Sequence, residues 1–267
     1  MLKFISFGSG SSGNCYYLGT ATDGLLVDIG VGLRTLKKYA RDYGISLSSV
    51  RRILITHDHA DHIKSVGAFS HDYNVPVYAT EKVHLGIDHN YCVQRKLLKE
   101  QKLFLEPGTT VRLGDFMVTP FYVPHDASEN VGYKIEVEGI VFVIMTDAGS
   151  VTEEMKEFIG EANYLVIEAN HDVEMLQGGP YPQYLKDRII SPNGHLSNKD
   201  CGQVLAENMT ELLKHVWLCH LSEENNHPEL ARKTVDAILR SFGIIPGKDV
   251  QLEVLKRKMP SEVYELE

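Results

Sequence analysis

His57-Asp58-His59-Ala60-Asp61-His62 is the stretch that decides how this chain is read. Three imidazoles and the Asp61 carboxylate fall within six residues, directly after the short apolar run Arg52-Ile53-Leu54-Ile55-Thr56. A turn at a strand end aims neighbouring side chains into one place. Imidazole with carboxylate suits zinc, and also manganese or iron. On its own the run could be a polar surface loop; the strand-then-turn context favours metal ligation. Histidine is also the unusual entry in the composition, 12 residues against a single tryptophan.

One metal does not easily take four neighbouring groups, so partners are sought downstream. His125 follows the strand-like run 117–123, Asp147 follows 140–146, and His220 follows 215–219. Taken singly, each histidine would more often be structural and Asp147 a turn former. Their repeated placement just past apolar runs raises all three together.

The rest of the composition sets bounds. With 267 residues, 43% hydrophobic and 24% charged, the chain is not of the disordered class. Its length fits one large α/β domain or two small ones. A net charge of −9 argues against a general nucleic-acid coat but not against a nucleic-acid enzyme with a local basic groove. Cys15, Cys92, Cys201 and Cys219 form no C-x-x-C pair and read as buried free thiols. No apolar stretch approaches 18 residues, so no membrane span is expected. MLKFISFGSG has no long apolar h-region, so no secretory signal is expected either. A cytoplasmic, reducing home follows.

Strands are expected at 2–7, 15–18, 24–28, 52–55, 76–79, 111–113, 116–119, 131–137, 140–146, 164–167, 215–219 and 250–255. Gly114-Asp115 and Glu138-Gly139 read as hairpin turns. Leu33, Leu36, Ala40 and Tyr43 share a helical face, as do Cys201, Val204, Leu205, Met209 and Leu212. Ser197 and Pro228 mark helix starts. Hairpins mixed with crossovers imply sheets covered by helices in a single α/β (α+β) domain, 1–267.

Four further features bear on substrate. Ser9, Ser11, Ser12 and Asn14 lie in the Gly/Ser loop 7–14, where backbone amides and hydroxyls can approach a phosphate. Glu168 ends the apolar run 164–167, and a buried carboxylate there needs a partner. His195 sits in a loop ahead of the Ser197 helix start. Arg95, Lys96, Lys99 and Lys102 would form a basic stripe if 91–102 were helical, with Lys186 and Arg188 as a second cationic candidate.

The pattern resembles the metallo-β-lactamase-fold hydrolases. The resemblance rests on HDHADH at 57–62, His125, Asp147, His220 and Leu26-Val27-Asp28-Ile29-Gly30. It implies a four-layer αββα sandwich. It also implies two divalent metal ions, Zn2+ or Mn2+. One would be held by His57, His59 and His125, the other by Asp61, His62 and His220, with Asp147 bridging and Asp28 buttressing the ligand loop. Metals about 3.5–4 Å apart hold a bridging hydroxide that is a nucleophile near neutral pH. Glu168 and the Gly194-His195 pair look like the Glu and Gly-His motifs of phosphodiesterase members such as tRNase Z. That likeness implies a Glu168-oriented His195 acting as general acid, with Asp61 steering a proton while it ligates. The strings SFGSGSSGN, THDHADH, VPHDA, IEANHD, GGPYP, GHLSN and HLSEENN are similar to the YycJ/WalJ-type group, whose members are regarded as nucleases. The implied function is a phosphodiesterase, an exonuclease on DNA ends more than RNA ends. The alternatives are a thioester- or lactam-type metallohydrolase, which would not need His195 or Glu168, and a non-catalytic regulatory protein on the same fold.

Overall fold

The elements of the chain, in a computed structural model that describes residues 1–267, are β1 (Leu2–Gly8), β2 (Cys15–Gly19), β3 (Gly24–Val27), α1 (Leu33–Asp42), β4 (Val50–Leu54), α2 (Ala60–Ile63), α3 (Val66–Tyr73), β5 (Val77–Ala79), α4 (Glu81–His89), β6 (Lys102–Phe104), β7 (Val111–Leu113), β8 (Phe116–Tyr122), β9 (Val131–Val137), β10 (Ile140–Met145), α5 (Glu153–Glu161), β11 (Tyr164–Glu168), α6 (Val173–Gly178), α7 (Gln183–Ile190), α8 (Asn198–Asn208), β12 (His215–Cys219), α9 (Pro228–Ser241), β13 (Gln251–Val254) and β14 (Tyr264–Leu266). The chain divides into two compact units. The first comprises Met1–Pro120, Ala127–Val131 and Lys256–Glu267; the second comprises Phe121–Asp126 and Gly132–Leu255.

In the first unit a seven-stranded sheet runs β14-β1-β2-β3-β4-β5-β6. β1, β2 and β3 are antiparallel neighbours, whereas β3 through β6 are parallel. Parallel neighbours need crossovers, and α1, α3 and α4 lie within those connections. Leu36 and Ala40 of α1, Phe69 of α3, and Val83 and Ile87 of α4 pack with Ile5, Phe7, Tyr17, Leu26, Ile53 and Val77 of the sheet. The alternate residues Phe4, Tyr16, Leu18, Leu25 and Leu54 are buried as well. These strands therefore read as continuous apolar runs.

A second sheet runs β13-β12-β11-β10-β9-β8-β7. Its stretch β10-β11-β12-β13 is parallel and lies in the second unit. Met155 and Ile159 of α5, Cys201 and Leu205 of α8, and Val235 and Leu239 of α9 pack with Val143, Met145, Leu165, Ile167, Val216 and Leu218. The architecture is thus the expected mixed α/β one, two sheets carrying helices. The two hairpin turns form as read: Gly114 has φ 64°, and Glu138 and Gly139 have φ 52° and 79°.

Three expectations change. Residues 91–102 are not one helix: a 3-10 turn at Lys99–Gln101 leads into β6. Three of the four cations are held by the chain itself, Arg95 on Asp72 (3.2 Å), Lys102 on Asp88 (2.6 Å) and Lys96 Nζ on the Asn90 carbonyl (2.6 Å) at the end of α4. The α8 face stops at Asn208, whose side chain bonds the Val204 carbonyl, so Met209 caps the helix and Leu212 is exposed. β6 and β14, three residues each, form where no strand is expected. All four cysteines are free, with Cys15, Cys201 and Cys219 buried. Burial pushes those three thiols up and keeps them protonated. No helix is long and apolar enough to cross a membrane.

Candidate metal-binding residues

In the first unit the parallel strands β3 and β4 end side by side, and the ligand run leaves β4. Asp28, just past β3, adopts φ 60°, a backbone region costly for residues other than glycine. Its carboxylate accepts from Thr56 N (2.9 Å), Thr56 Oγ1 (2.9 Å) and His62 Nδ1 (2.7 Å). Thr56 Oγ1 spends its one hydrogen on the bond it donates to Asp28, so it accepts from His57 Nδ1 at 3.0 Å. Both imidazoles therefore carry their proton on Nδ1 and their lone pair on Nε2. Asn14 Nδ2 donates to that His62 lone pair at 2.9 Å and lies 3.3 Å from Asp61 Oδ2. The His57 ring centroid is 4.7 Å from that of His59 and 4.0 Å from that of His62.

Close backbone approach makes this possible. A Cβ on Gly30 would stand 1.5 Å from the Asp61 carbonyl, so only glycine lets the Asp61–His62 turn lie against the end of β3. Ile29 N on the His62 carbonyl and Asn14 N on the Asp61 carbonyl, both 2.7 Å, close the contact. Asp58 faces elsewhere: it accepts from Ser128 N (3.1 Å) and Ser128 Oγ (2.6 Å) and ties down the returning segment Ala127–Val131.

In the second unit the parallel strands β10, β11 and β12 bring Asp147, Glu168 and His220 to one sheet edge. Asp147 and His220 also have left-handed backbones, with φ 55° and 51°. Glu168 is completely buried, a costly place for a carboxylate unless both oxygens are satisfied. Oε2 accepts from Ala148 N (2.9 Å) and Leu196 N (3.2 Å); Oε1 accepts from His195 Nδ1 (2.9 Å) and His220 Nδ1 (3.0 Å). His125 Nδ1 donates to the Gly194 carbonyl at 3.0 Å. Asp147 Oδ1 lies 3.8 Å from His125 Nε2 and 3.5 Å from His220 Nε2. Asp147, Glu168, His195 and His220 each bring a ligand atom within 4.8 Å of one another. Burial works against a charged His195, but the Glu168 carboxylate, by charge and hydrogen bond, outweighs it and holds the imidazole above the ordinary histidine range.

Gly149 plays the part of Gly30 here. A Cβ on it would meet Gly194 N at 2.3 Å. The Asp147 turn can thus lie against the loop that carries His195, whose ring stacks on His220 at 5.5 Å between centroids. Arg188 forms a two-point ion pair with Asp126, Nη2 to Oδ1 at 3.0 Å, which ties α7 to the residue after His125.

In the second unit Asp147, Glu168, His195 and His220 make a donor set that could hold a divalent metal. Four of the five candidate ligand histidines have Nδ1 on a protein acceptor, which fixes the tautomer that presents Nε2. The resemblance implies Glu168 with His195, and the structure adds His220 to the same carboxylate. Thr56 was not singled out; a hydroxyl between the apolar run and the first histidine was the available signal. In the Gly/Ser loop, Ser11 and Ser12 are exposed. Ser9 is buried on the Tyr16 hydroxyl at 2.9 Å, and Asn14 faces His62 and Asp61.

Residues 24–220 match the beta-lactamase superfamily domain. Exodeoxyribonuclease YycJ of Bacillus anthracis is 37% identical over 262 residues, 98% of this chain and 98% of that protein. Exodeoxyribonuclease WalJ of Streptococcus pneumoniae serotype 2 (strain D39 / NCTC 7466) is 37% identical over 250 residues, 94% of this chain and 93% of its own. Zn(2+)-bound PqqB from Methylobacterium extorquens shares the fold, with a TM-score of 0.72 at 14% identity over 97% of this chain and 99% of that one.

Proposed function

The chain belongs to the metallo-β-lactamase superfamily and to its YycJ/WalJ type, and from that premise we propose that it is an exonuclease hydrolysing phosphodiester bonds at DNA ends. It is a metal-dependent hydrolase of the nuclease class. The observation that carries the finer reading is the buried Glu168–His195 pair beside Asp147, which a thioester or lactam hydrolase would not need. The DNA preference is supported by the two exodeoxyribonuclease relatives. We take 1–267 as one hydrolase domain, since the family match from 24 to 220 runs through both units. We place it in the cytoplasm, where buried thiols stay reduced.

We assign His57, His59 and His125 to one Zn2+ or Mn2+, and Asp61, His62 and His220 to a second, with Asp147 shared. Bound there, the two cations would supply a nucleophile derived from water near neutral pH and would offset charge developing on the phosphoryl oxygens. Asp28 and Thr56 orient His62 and His57, and Glu168 orients His220. Asp61, partly exposed, steers the proton of the attacking water. His195, its Nδ1–H anchored on Glu168, gives the Nε2 proton to the leaving oxygen, a step worth about 10²–10⁴ in rate. The exposed hydroxyls of Ser11 and Ser12 lie where the flanking phosphate would be received; Ser9 and Asn14 support that loop from within.

The test uses metal-loaded protein on 5′- and 3′-labelled DNA and RNA. Stepwise shortening of DNA that falls about 10²–10⁴-fold in His195→Ala is expected. Full activity in that variant removes the general-acid role. Thioester turnover without any polynucleotide cleavage overturns the nuclease reading.

A further inference from the structure

The molecule is acidic overall, yet one helix of the first unit is not. α1, Leu33–Asp42, carries Arg34, Lys37, Lys38 and Arg41 within ten residues. Leu36 and Ala40 bury its other face, and Arg34, Lys38 and Arg41 follow at i, i+4 and i+7, one exposed stripe. The four cations line a hollow of about 630 Å³. Two carboxylates answer them, Asp72 at 2.8 Å from Lys37 and Asp42 at 3.2 Å from Arg41.

A second hollow, about 320 Å³, opens at the first turn of the same helix and is lined by Ser12, Thr35, Lys64, Arg257 and Lys258 among others. Its parts are fixed. Lys64 Nζ sits on the Ser12 carbonyl at 2.6 Å, Ser9 N bonds the Lys256 and Arg257 carbonyls at 3.2 and 3.3 Å, and the Tyr39 hydroxyl bonds the Lys258 carbonyl at 3.1 Å. Gly32 caps α1 without a side chain, so the positive end of the helix faces this hollow uncovered by a cap. Ser12 stands two residues before Asn14, and Lys64 two residues after His62; Asn14 and His62 bond each other at 2.9 Å. The second hollow therefore adjoins the ligand run, and α1 continues from it.

We propose that these two hollows form one track that holds the phosphate backbone of a DNA strand outside the active site, from Ser12 and Lys64 past Arg257 and Lys258 and along the Arg34–Lys38–Arg41 stripe. The proposal rests on the nuclease reading and adds to it the surface that keeps the substrate bound between cuts. Charge complementarity selects the occupant: seven cations border the track in a chain of net charge −9. α1 is about 15 Å long, enough to run beside several phosphates of a strand. Among the other basic candidates, Lys102 is paired with Asp88 and Arg188 with Asp126, away from both hollows.

The test measures binding of a single-stranded DNA at several salt concentrations by the intact wild type, by Arg34→Gln/Lys38→Gln/Arg41→Gln, and by Lys199→Gln/Lys233→Gln/Lys248→Gln. The last removes the same charge from exposed sites in the second unit. The α1 variant is expected to flatten the slope of log affinity against log salt by about 2, from roughly 0.7 per lost phosphate contact; the second variant is expected to keep the wild-type slope. Equal slopes in the wild type and the α1 variant, or equal flattening in both variants, overturn the track and leave the nuclease reading standing. A wild type that neither binds nor cuts DNA overturns both. Tighter binding of the same sequence as RNA overturns DNA as the occupant.

Discussion

Asp28 and Glu168 do most of the orienting work in this protein, and neither is proposed to touch a metal. Asp28 holds His62 by Nδ1, and Glu168 holds both His195 and His220. Asp28→Asn tests the first. Asparagine tolerates the left-handed backbone at φ 60° but brings no charge to His62. Metal affinity should fall about 10–100-fold with little loss of fold; titration calorimetry with Zn2+ or Mn2+ measures it, and an unchanged affinity would remove Asp28 from the site. Glu168→Gln replaces one carboxylate oxygen by a donor and leaves buried N–H groups facing it, each costing about 1–3 kcal/mol. The metal-free variant should melt clearly below the metal-free wild type; equal melting would show that the four bonds to Glu168 do not support the fold. The donors of the ligand run, His125, Asp147 and His220 were legible because each follows an apolar run and is the right chemical type; His195, in a loop after Pro192-Asn193-Gly194, was legible only through its likeness to a Gly-His motif. The tasks of Asn14 and Thr56 were not. Asn14 meets His62 48 residues along the chain, and that meeting depends on β1 and β3 lying in one sheet.

At the scale of elements, the strands could be read closely because most are continuous apolar runs between turns. The pieces that could not be read are those whose local signal is weak or misleading. Basic residues at helical spacing in 91–102 suggest a helix, but Asn90 Oδ1 accepts from Cys92 N at 2.9 Å and turns the chain away first. Ser197 did signal its helix: Oγ accepts from Asp200 N at 3.1 Å. Ser197→Ala should cost about 1 kcal/mol, a melting shift of roughly 2–4 °C for a chain of this size. Gly149→Ala belongs to the same scale. Its Cβ would stand 2.3 Å from Gly194 N, so the loop carrying His195 must move. kcat is expected to drop on the order of 10²-fold while far-ultraviolet dichroism stays native, since a 1 Å displacement at a reacting group is enough for that. Wild-type kcat would mean the loop accommodates the methyl without displacing His195.

For the whole molecule, the mixed α/β class and the family were legible, but the division into two units was not. The first unit is assembled from three separate stretches, and no linker marks the joins. Each unit also gathers acidic and imidazole groups whose mutual repulsion or desolvation a metal would relieve. Metal at 100 times its dissociation constant should add about 2.7 kcal/mol of stability. Chelator treatment should therefore lower the melting temperature, and Zn2+ or Mn2+ should restore it in a concentration-dependent way. A melting temperature indifferent to both would contradict metal binding by the folded state.

β14 pairs with β1, Leu2 opposite Leu266, and Ser6 N bonds Ser261 Oγ across 255 residues at 3.0 Å. On the ribosome this delays closure. β1 emerges some 255 residues ahead of its partner, so one of its edges stays open until residues 261–266 arrive, at about 5–20 residues per second a wait on the order of 10–50 s. During that interval the growing chain exposes an apolar strand edge of the kind that pairs with strangers. Nascent-chain handling, rather than the stability of the finished enzyme, is where this topology makes its demand on the cell.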